Sequence, residues 1–324
     1  MSGQNNHDSN AESYWNFKGH FDFVDQWFLM GSPIPIIVIL TAYLAFVLKL
    51  GPDFMKKRKA YKLTNILLVY NLAEIIFAAY LFNLCIKILV PLGMLRKTCT
   101  MDTEESKYQV TSTNYWYFIC KLTELLDTVF FVLRKKRNQI SFLHVYHHTL
   151  LGLCSWLFLK YEPGYTLLFI GTLNSFVHII MYTYYALSAF PGMAKYLWWK
   201  KYITILQLTQ FILVLIEFVA NIVISKCKPS TVMTVLILPN LALFIHLFLK
   251  FYMKTYTDAQ SKQETKAKNV YITNVSGDFN GETVKGRSKN TDNMKKKTYY
   301  NDTNQANKRY IYKHRPIGEG FQTR

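Results

Sequence analysis

The first 32 residues of this 324-residue chain lack a basic segment followed by an apolar core. That pattern is the mark of a cleaved secretory signal peptide, so we expect none here, and the first apolar run must direct the chain to a membrane. The chain is also poor in acidic residues, with 20 Asp and Glu against 38 Lys and Arg. No internal repeat is evident, which argues against a repeat architecture.

What the chain does have is apolar sequence, because hydrophobic residues make up 51% of it and aromatic residues 16%. They come in blocks of about 20 residues, the length that a helix needs to cross a bilayer. Seven such blocks lie at residues 33–50, 64–90, 114–133, 140–159, 165–187, 202–224 and 231–253. The sequence therefore predicts an all-α integral membrane protein with seven transmembrane helices.

The loops between these predicted spans differ in charge. Basic residues concentrate after spans 1, 3 and 5, whereas the loop of residues 95–113 also holds acidic ones. By the positive-inside rule, the N-terminal segment (1–32) is predicted to be lumenal or external, the membrane domain to cover 33–254, and the tail (255–324) to be cytosolic. The tail is rich in Lys, Asn, Thr and Gly without apolar periodicity, so we expect it to be disordered.

The formal net charge of +18 invites a nucleic-acid partner. However, the basic residues lie in the cytosolic loops and tail, where topology and anionic lipid already explain them. We therefore expect membrane lipid and no nucleic acid as a partner.

Polar side chains recur at one depth in six of the predicted spans, roughly 6 to 14 Å from their cytosolic ends at a rise of ~1.5 Å per residue. They are Asn71, Asp127, His144, His178, Gln207 and His246. An unsatisfied polar group in hydrocarbon costs several kcal/mol, so such a layer needs mutual hydrogen bonds or water. We expect an enclosed pocket open towards the cytosol, with the lone His246 as a satisfied core residue.

Span 4 carries three histidines, His144, His147 and His148, which we call the histidine box. Their i, i+3, i+4 spacing gathers three imidazoles on one helix face. An ionisable group inside a membrane is by default a functional hypothesis, so this triplet indicates chemistry rather than packing.

Span 3 places Lys121, Glu124 and Asp127 at intervals of three residues. Lys121 and Glu124 suit an internal ion pair that neutralises itself as well as they suit contact with a substrate. Asp127 is predicted to work with the histidines, since a carboxylate near an imidazole fixes its tautomer and raises its basicity.

Span 5 continues the polar pattern with Asn174, His178, Tyr182 and Tyr185. These residues form a stripe that could face the histidine box, and we predict a functional role for His178. The two tyrosines are also typical of an interfacial aromatic belt, and the sequence leaves both readings open.

Span 6 carries Gln207 and Gln210, which either bond neighbouring helices or contact a substrate. The sequence does not separate these two roles. Glu217 lies deeper in the same span and is expected to be structural.

Two chemistries could use the embedded histidines. A di-iron centre of the membrane desaturase kind needs about eight histidine ligands, and only five of the eight histidines lie in predicted spans. A single zinc ion held by three or four imidazoles is not excluded by number. Acid, base or nucleophilic work by neutral imidazole fits better, and we expect no resident metal. A seven-helix receptor or transporter, which would bind a ligand without making bonds, is the competing class.

Four segments resemble the ELO family of very-long-chain fatty acid elongases and occur in the family's order. They are Lys-Leu-Thr-Glu-Leu-Leu-Asp-Thr (121 to 128), His-Val-Tyr-His-His-Thr (144 to 149), Asn-Ser-Phe-Val-His-Ile-Ile-Met-Tyr-Thr-Tyr-Tyr (174 to 185) and Thr-Ile-Leu-Gln-Leu-Thr-Gln-Phe (204 to 211). The resemblance implies an endoplasmic reticulum enzyme whose last six helices form a barrel around an acyl tunnel. It also implies 3-ketoacyl-CoA synthase activity, in which a long acyl-CoA condenses with malonyl-CoA and releases CO2 and CoA.

By the same resemblance, His147 attacks the acyl thioester and carries the acyl group as an acyl-imidazole. Asp127 and His144 then orient and tune this nucleophile, and His148 completes the cluster. The malonyl enolate is stabilised by a neighbouring donor such as His178, Asn174 or a protonated imidazole. The residues expected to bind substrate are Lys121, Glu124, Asn174, Tyr182, Gln207 and Gln210, with Lys135 and Lys136 at the mouth for the CoA polyanion. No cofactor is expected beyond the two CoA substrates, and other elongation enzymes and a second copy of the chain are the expected partners.

Five cysteines divide by predicted location: three lie within spans, whereas Cys99 and Cys227 lie in two loops on the lumenal side, which is oxidising. We predict a disulfide between Cys99 and Cys227 that clamps span 7 to the loop between spans 2 and 3. Mass mapping of peptides under non-reducing conditions should recover the two as a linked pair. Recovery of both as free thiols would reject the pairing.

Overall fold

The computed structural model of the protein describes residues 17–92, 101, 103–190, 192–224 and 228–257, and every regular element among them is a helix. The α-helices are α1 (Asp22–Asp25), α2 (Ile34–Ala45), α3 (Gly51–Met55), α4 (Thr64–Leu92), α5 (Glu104–Thr123), α6 (Leu125–Leu133), α7 (Phe142–Tyr161), α8 (Tyr165–Ser188), α9 (Lys200–Val223) and α10 (Thr231–Tyr252). Short 3-10 turns at Arg137–Gln139 and Met193–Tyr196 and π-helical turns at Phe46–Leu50 and Met253–Thr257 connect or extend them. Cys99 and Cys227 lie outside the described residues.

These helices coincide closely with the predicted apolar blocks. Within the described ranges, five helical stretches are long and apolar enough to cross a membrane. They are Ile34–Met55, Thr64–Pro91, Tyr165–Ser188, Lys200–Val223 and Thr231–Thr257. The protein is therefore a multi-pass membrane protein. The third and fourth predicted spans form helices but are less apolar, because they carry the ionisable residues of the polar layer, so the count of seven stays a prediction.

The third predicted span is broken in the middle. The helix stops at Thr123 and resumes at Leu125, and the Asp127 N–H donates to the Glu124 carbonyl at 3.2 Å in a tight turn. A polar break at membrane depth is tolerated where protein buries it, and the Glu124 side chain is fully buried.

The start of α7 sets the position of the histidine box. The Ser141 hydroxyl accepts a hydrogen bond from the His144 N–H at 3.2 Å, which satisfies one of the free N–H groups of the first turn. The three histidines therefore lie in the first two turns of α7, next to the end of α6.

The described chain divides into two compact units. The first lies within Met1–Ala189 and Ile203–Phe248, and the second within Phe190–Tyr202 and Leu249–Arg324. In the first unit α4 packs against α8 and α5, and α5 packs against α7 and α8. The helices α9 and α10 meet α7 and α8 through an apolar cluster that includes Phe211 and Phe244. The second unit contains an edge-to-face pair of the Trp198 and Tyr202 rings, 5.9 Å apart.

The first span packs on the helices that carry the polar layer. Buried side chains of α2 and α3 share one apolar cluster with α5, α6 and α7. A Cβ atom added at Gly51 would lie 2.7 Å from Val132 Cγ1, so a glycine is needed for this close approach of α3 to α6. At the same end, the Tyr61 N–H donates to the Leu133 carbonyl at 3.1 Å, which joins the basic loop after span 1 to the basic turn after α6.

At the other end of α7, a buried lysine anchors the segment that precedes the first span. Lys160 is fully buried, and its Nζ donates to Asp25 Oδ1 at 2.5 Å and to the Met30 carbonyl at 2.5 Å. The Gly19 N–H donates to both Asp25 oxygens, and the His20 N–H donates to the Lys160 carbonyl at 2.7 Å. Residues 19–30 are thereby fixed to the end of α7 opposite the histidine box.

Lys160→Met should release this anchor, since the change leaves the Met30 carbonyl and the Asp25 carboxylate without their cation. We expect a loss of about 1 to 3 kcal/mol in the free energy of unfolding and new proteolytic cleavage near residues 19–30. Thermal unfolding and limited proteolysis in detergent measure the two effects. Lys18→Met is the control, because the Lys18–Asp22 pair is solvent-exposed and its loss should change neither. Equal behaviour of the two variants would contradict the anchoring role.

Candidate active site

Four buried side chains form a closed ring of hydrogen bonds between the α5–α6 break and α8. Lys121 Nζ donates to Glu124 Oε1 at 2.5 Å and to Asn174 Oδ1 at 2.6 Å. His178 Nδ1 lies 3.0 Å from the same Glu124 oxygen, and its Nε2 lies 3.2 Å from Asn174 Nδ2. The ring joins α8 to the end of α5, and all four residues are buried.

The direction of these bonds fixes the state of His178. Because the Asn174 carbonyl oxygen accepts from Lys121, its amide NH2 must face His178 and donate to Nε2. Nε2 is then an acceptor, so the proton of a neutral His178 ring is on Nδ1, where it bonds to Glu124. These four side chains, Lys121, Glu124, Asn174 and His178, are called the ring of four. They hold a neutral imidazole beside an ion pair.

A second chain of hydrogen bonds runs from the first span to the histidine box. The Tyr43 hydroxyl and Thr128 Oγ1 lie 2.9 Å apart, and Thr128 Oγ1 lies 2.9 Å from His144 Nε2. These three groups link α2, α6 and α7. Neither Tyr43 nor Thr128 is among the predicted site residues, and the pairing of Tyr43 could not be read from the sequence because it depends on how span 1 packs.

Asp127 hydrogen-bonds outside the histidine box. Its Oδ2 accepts a hydrogen bond from the Tyr182 hydroxyl at 2.8 Å, and its other interaction partners include Tyr70 on α4. The Asp127 carboxylate faces α8 and α4, whereas the hydroxyl of Thr128 lies beside His144. The predicted role of Asp127 in orienting the nucleophile stays a prediction.

The three box histidines differ in their partners. The rings of His144 and His148 lie 4.4 Å apart, and those of His147 and His148 lie 5.3 Å apart. His148 Nδ1 is 4.0 Å from Glu124 Oε2, an oxygen that has no hydrogen-bond partner within the described residues.

His147 faces apolar surroundings instead. Its ring packs edge to face against Phe244, with centroids 5.1 Å apart, and against Phe211 at 6.2 Å. In the described part of the chain its side chain makes no hydrogen bond. His147 thus packs against apolar side chains of α9 and α10, which we call the apolar wall.

The remaining predicted residues lie on α8, α9 and α10 and in the turn between α6 and α7. Tyr182 is fully buried and bonded to Asp127, which excludes the aromatic-belt reading for it. Gln207 Nε2 lies 3.5 Å from Met181 Sδ of α8, and Gln210 is buried on the same helix, α9. Lys135 is exposed and Lys136 half-buried, both in the turn between α6 and α7. His246 is exposed on α10, so its expected place in the core is wrong.

Two buried groups beside the ring of four are absent from the sequence prediction. Cys120 Sγ lies 3.4 Å from Glu124 Oε1 and 4.0 Å from Glu74 Oε2 on α4. A carboxyl group in the middle of an apolar span is itself a signal of function, so Glu74 could have been found. Cys120 gives no such signal, because a buried cysteine is common in apolar helices.

Comparison with known proteins shows the family. The model of the family described as "ELO: GNS1/SUR4 family" matches residues 28–264, most of the chain and all four polar segments. The chain belongs to the ELO family. ELO relatives include the very long chain fatty acid elongase 2 of Mus musculus, 41% identical over 257 residues that cover 76% of this chain and 84% of the relative. Very long chain fatty acid elongase 4 of Homo sapiens is 39% identical over 246 residues, which cover 75% and 78% of the two chains.

The contribution of the buried Lys121–Glu124 ion pair to the stability of this ELO protein can be tested directly. Lys121→Met leaves the buried Glu124 carboxylate without its cation, so we expect a loss of about 3 to 5 kcal/mol in the free energy of unfolding. Lys107→Met is the matched control, since Lys107 and Glu104 form an exposed pair with the same spacing on the same helix and should cost less than about 1 kcal/mol. Thermal or denaturant unfolding in detergent gives both values. Similar losses in the two variants would show that burial does not set the weight of the pair.

Proposed function

We propose that the protein is a 3-ketoacyl-CoA synthase, an acyltransferase that condenses a long-chain acyl-CoA with malonyl-CoA in the first step of fatty acid elongation. Its membership of the ELO family and its elongase relatives support an enzyme of fatty acid elongation. The observation that carries the finer assignment is the position of His147, an imidazole without a polar partner in the described chain, between an ion-paired polar cluster and an apolar wall.

His147 is the proposed nucleophile. An imidazole nitrogen attacks a thioester only when its lone pair is free. Nε2 of His144 and both ring nitrogens of His178 are engaged, whereas His147 makes no hydrogen bond within the described residues. A long acyl group delivered to His147 would lie against the apolar side chains of α7, α9 and α10. Exclusion of water from such a wall protects an acyl-imidazole from hydrolysis.

The ring of four is the proposed site of charge stabilisation. Decarboxylation of a malonyl thioester leaves an enolate, whose negative charge needs hydrogen-bond donors or cations already in place. The Lys121 ammonium and the Asn174 amide are both held in fixed directions by their partners. His178 lies at the edge of this ring, and its edge-to-face contact with Tyr182, with centroids 5.6 Å apart, orients the imidazole.

The path of the acyl chain is proposed to continue along α7, away from the basic turn. Buried apolar side chains from α7, α8, α9 and α10 meet in a second cluster nearer the other end of these helices: Cys154, Phe158, Leu167, Phe218 and Met233. The sequence of neighbours α4, α5, α7, α10, α9 and α8, in which each contacts the next, supports a six-helix barrel around this path.

The orientation is proposed to be N-terminus lumenal and C-terminus cytosolic, in the endoplasmic reticulum membrane. Two observations support it: the basic loop after span 1 meets the basic turn after α6, and the segment of residues 19–30 is anchored at the opposite end of α7. The histidine box would then open to the cytosol, where acyl-CoA and malonyl-CoA are available.

A histidine-ligated metal centre finds less support. Within the described residues, the group of three or more candidate ligand atoms lying within 4.8 Å of one another comprises Glu74, Cys120 and Glu124, and it includes no histidine. The box nitrogens are instead directed at Thr128, at Glu124 and at apolar rings. A receptor or transporter would share the polar layer, and turnover separates it from an enzyme.

His147→Ala should abolish condensation while leaving the fold intact, because the ring makes only aromatic contacts. Purified protein given acyl-CoA alone should gain the mass of one acyl group on the peptide that contains His147, and addition of labelled malonyl-CoA should release labelled CO2 and a ketoacyl product. In His147→Ala both signals should fall by at least about 10³-fold.

His246→Ala is the matched control, since this histidine lies on α10 outside the cluster and should retain normal turnover. Binding of acyl-CoA without labelled CO2 in the unmodified protein would support the receptor class and end the proposal. Full turnover by His147→Ala would remove the acyl-imidazole.

A further inference from the structure

Glu74 is a buried carboxyl group for which the proposed mechanism has no use so far. It lies on α4, and its Oε2 is 4.0 Å from the thiol of Cys120, which is also 3.4 Å from Glu124 Oε1. The Cys120 thiol therefore lies between the carboxyl groups of Glu74 and Glu124, and Glu124 belongs to the ring of four. All three side chains are buried.

The number of hydrogens decides which group donates. A thiol has one hydrogen, so it cannot donate to Glu74 and Glu124 together. Glu124 Oε1 is already surrounded by donors, Lys121 and His178, and is the stronger acceptor. For the second contact to be a hydrogen bond, Glu74 must carry a proton and donate it to the sulfur.

Charge balance gives a second reason. Three buried carboxyl groups, those of Glu74, Glu124 and Asp127, surround one buried ammonium group, that of Lys121. If all were ionised, the cluster would carry two uncompensated negative charges in a medium where each costs several kcal/mol. Glu124 has its cation and Asp127 has the Tyr182 hydroxyl, so Glu74 is the carboxyl least able to remain charged.

We propose that Glu74 is a neutral carboxylic acid that stores the proton consumed by the condensation and delivers it through Cys120 and Glu124 to the histidine box. This inference rests on the proposed synthase function and adds a positioning and proton-storing residue to it.

The reaction requires such a proton. In acylation, an imidazole nitrogen of His147 forms a C–N bond to the acyl carbon, the C–S bond breaks, and the imidazole N–H proton goes to the CoA thiolate. In condensation, CO2 leaves the malonyl group and its bonding electrons remain on the α-carbon as an enolate. The enolate forms the C–C bond, the C–N bond breaks, and the electron pair that returns to His147 must receive one proton.

The geometry supplies a route for that proton. The Glu74 O–H faces the Cys120 sulfur, whose S–H faces Glu124 Oε1. The other Glu124 oxygen has no hydrogen-bond partner in the described chain and lies 4.0 Å from His148 Nδ1. The His148 and His147 ring centroids are 5.3 Å apart, so the last two transfers, from Glu124 to His148 and from His148 to His147, require the His148 ring to move closer to each group in turn. Bulk solvent restores the proton to Glu74 between turnovers.

The same three groups could in principle hold a divalent cation, since their ligand atoms lie within 4.8 Å of one another. The Lys121 ammonium already occupies the position of a cation at Glu124, 2.5 Å away, and a thiolate ligand would add a further negative charge. A proton on Glu74 is therefore the better fit, and elemental analysis of the purified protein distinguishes the two.

The protonation state can be read directly from the infrared spectrum of full-length protein. The difference between wild type and Glu74→Gln should contain the carbonyl stretch of a carboxylic acid, shifted in D2O, without carboxylate bands. Carboxylate bands in that difference, or a stoichiometric metal that disappears in Glu74→Gln, would overturn the inference.

The kinetic test separates the two half-reactions. In Glu74→Gln and Cys120→Ala, CoA release from acyl-CoA alone should stay within about twofold of wild type, whereas the single-turnover condensation rate should fall about 10- to 100-fold. Cys120→Ser should keep most of the rate, since a hydroxyl can accept and donate. Cys85→Ala is the control for loss of a buried thiol elsewhere, and should leave both steps unchanged.

Equal slowing of acylation and condensation would assign Glu74 a structural role and overturn the relay, as would a normal condensation rate in Glu74→Gln. If Glu74→Gln does not fold, the contrast between Cys120→Ala and Cys120→Ser gives the same decision. Failure of wild type to form an acyl-enzyme or a ketoacyl product would instead reject the synthase function itself, so the two failures are distinguishable.

Discussion

The buried Glu124 carboxylate is the interaction on which the polar layer depends. It lies at the break between α5 and α6, accepts from Lys121 and His178, and faces Cys120 and His148 with its remaining capacity. A buried ion pair adds little stability by itself, because desolvation offsets most of the attraction. Its effect is to specify the arrangement: once Glu124 is placed, α5, α7 and α8 can satisfy their polar groups in only one register.

The layer combines tightly held and free imidazoles. His178 is held at both ring nitrogens, which defines its tautomer and direction, and His144 is held at Nε2 by Thr128, which orients its ring. His147 has aromatic neighbours and a free lone pair. Catalysis by a covalent intermediate requires this division, because a nucleophile with hydrogen bonds at both nitrogens could not form a new bond without first losing one.

Much of the fold could be predicted because the apolar runs are long and separated by charged loops. The helix bounds at Thr64, Tyr165 and Thr231 agree with the predicted spans within a residue. The break at Glu124 could not be predicted, since Glu124 and Leu125 are good helix formers and the break is stabilised by burial in the folded protein.

The sequence predicted which residues form the candidate site better than it predicted which of them contact each other. Lys121, Glu124, Asn174 and His178 share spacings that place them on facing stripes, and they do meet. The partners of Asp127 and Thr128 could not be read from the sequence, because one position along a helix turns a side chain by about 100°. Asp127 meets Tyr182, and Thr128 meets His144. The expected core position of His246 was wrong for a similar reason, since residue type alone does not tell which side of α10 faces inward. Glu74 has a local signal, a carboxyl group within an apolar span, but its contact with Cys120 depends on the packing of α4 against α5, which no local pattern encodes.

The hydroxyl of Tyr43 connects the first span to the polar layer. It reaches His144 through Thr128, so a residue of the first span helps to orient the histidine box. A chimera that exchanges the amino-terminal span between relatives therefore changes more than a membrane anchor. It keeps or removes a phenol that is hydrogen-bonded to the polar layer, so the donor sequence should have a tyrosine at this position.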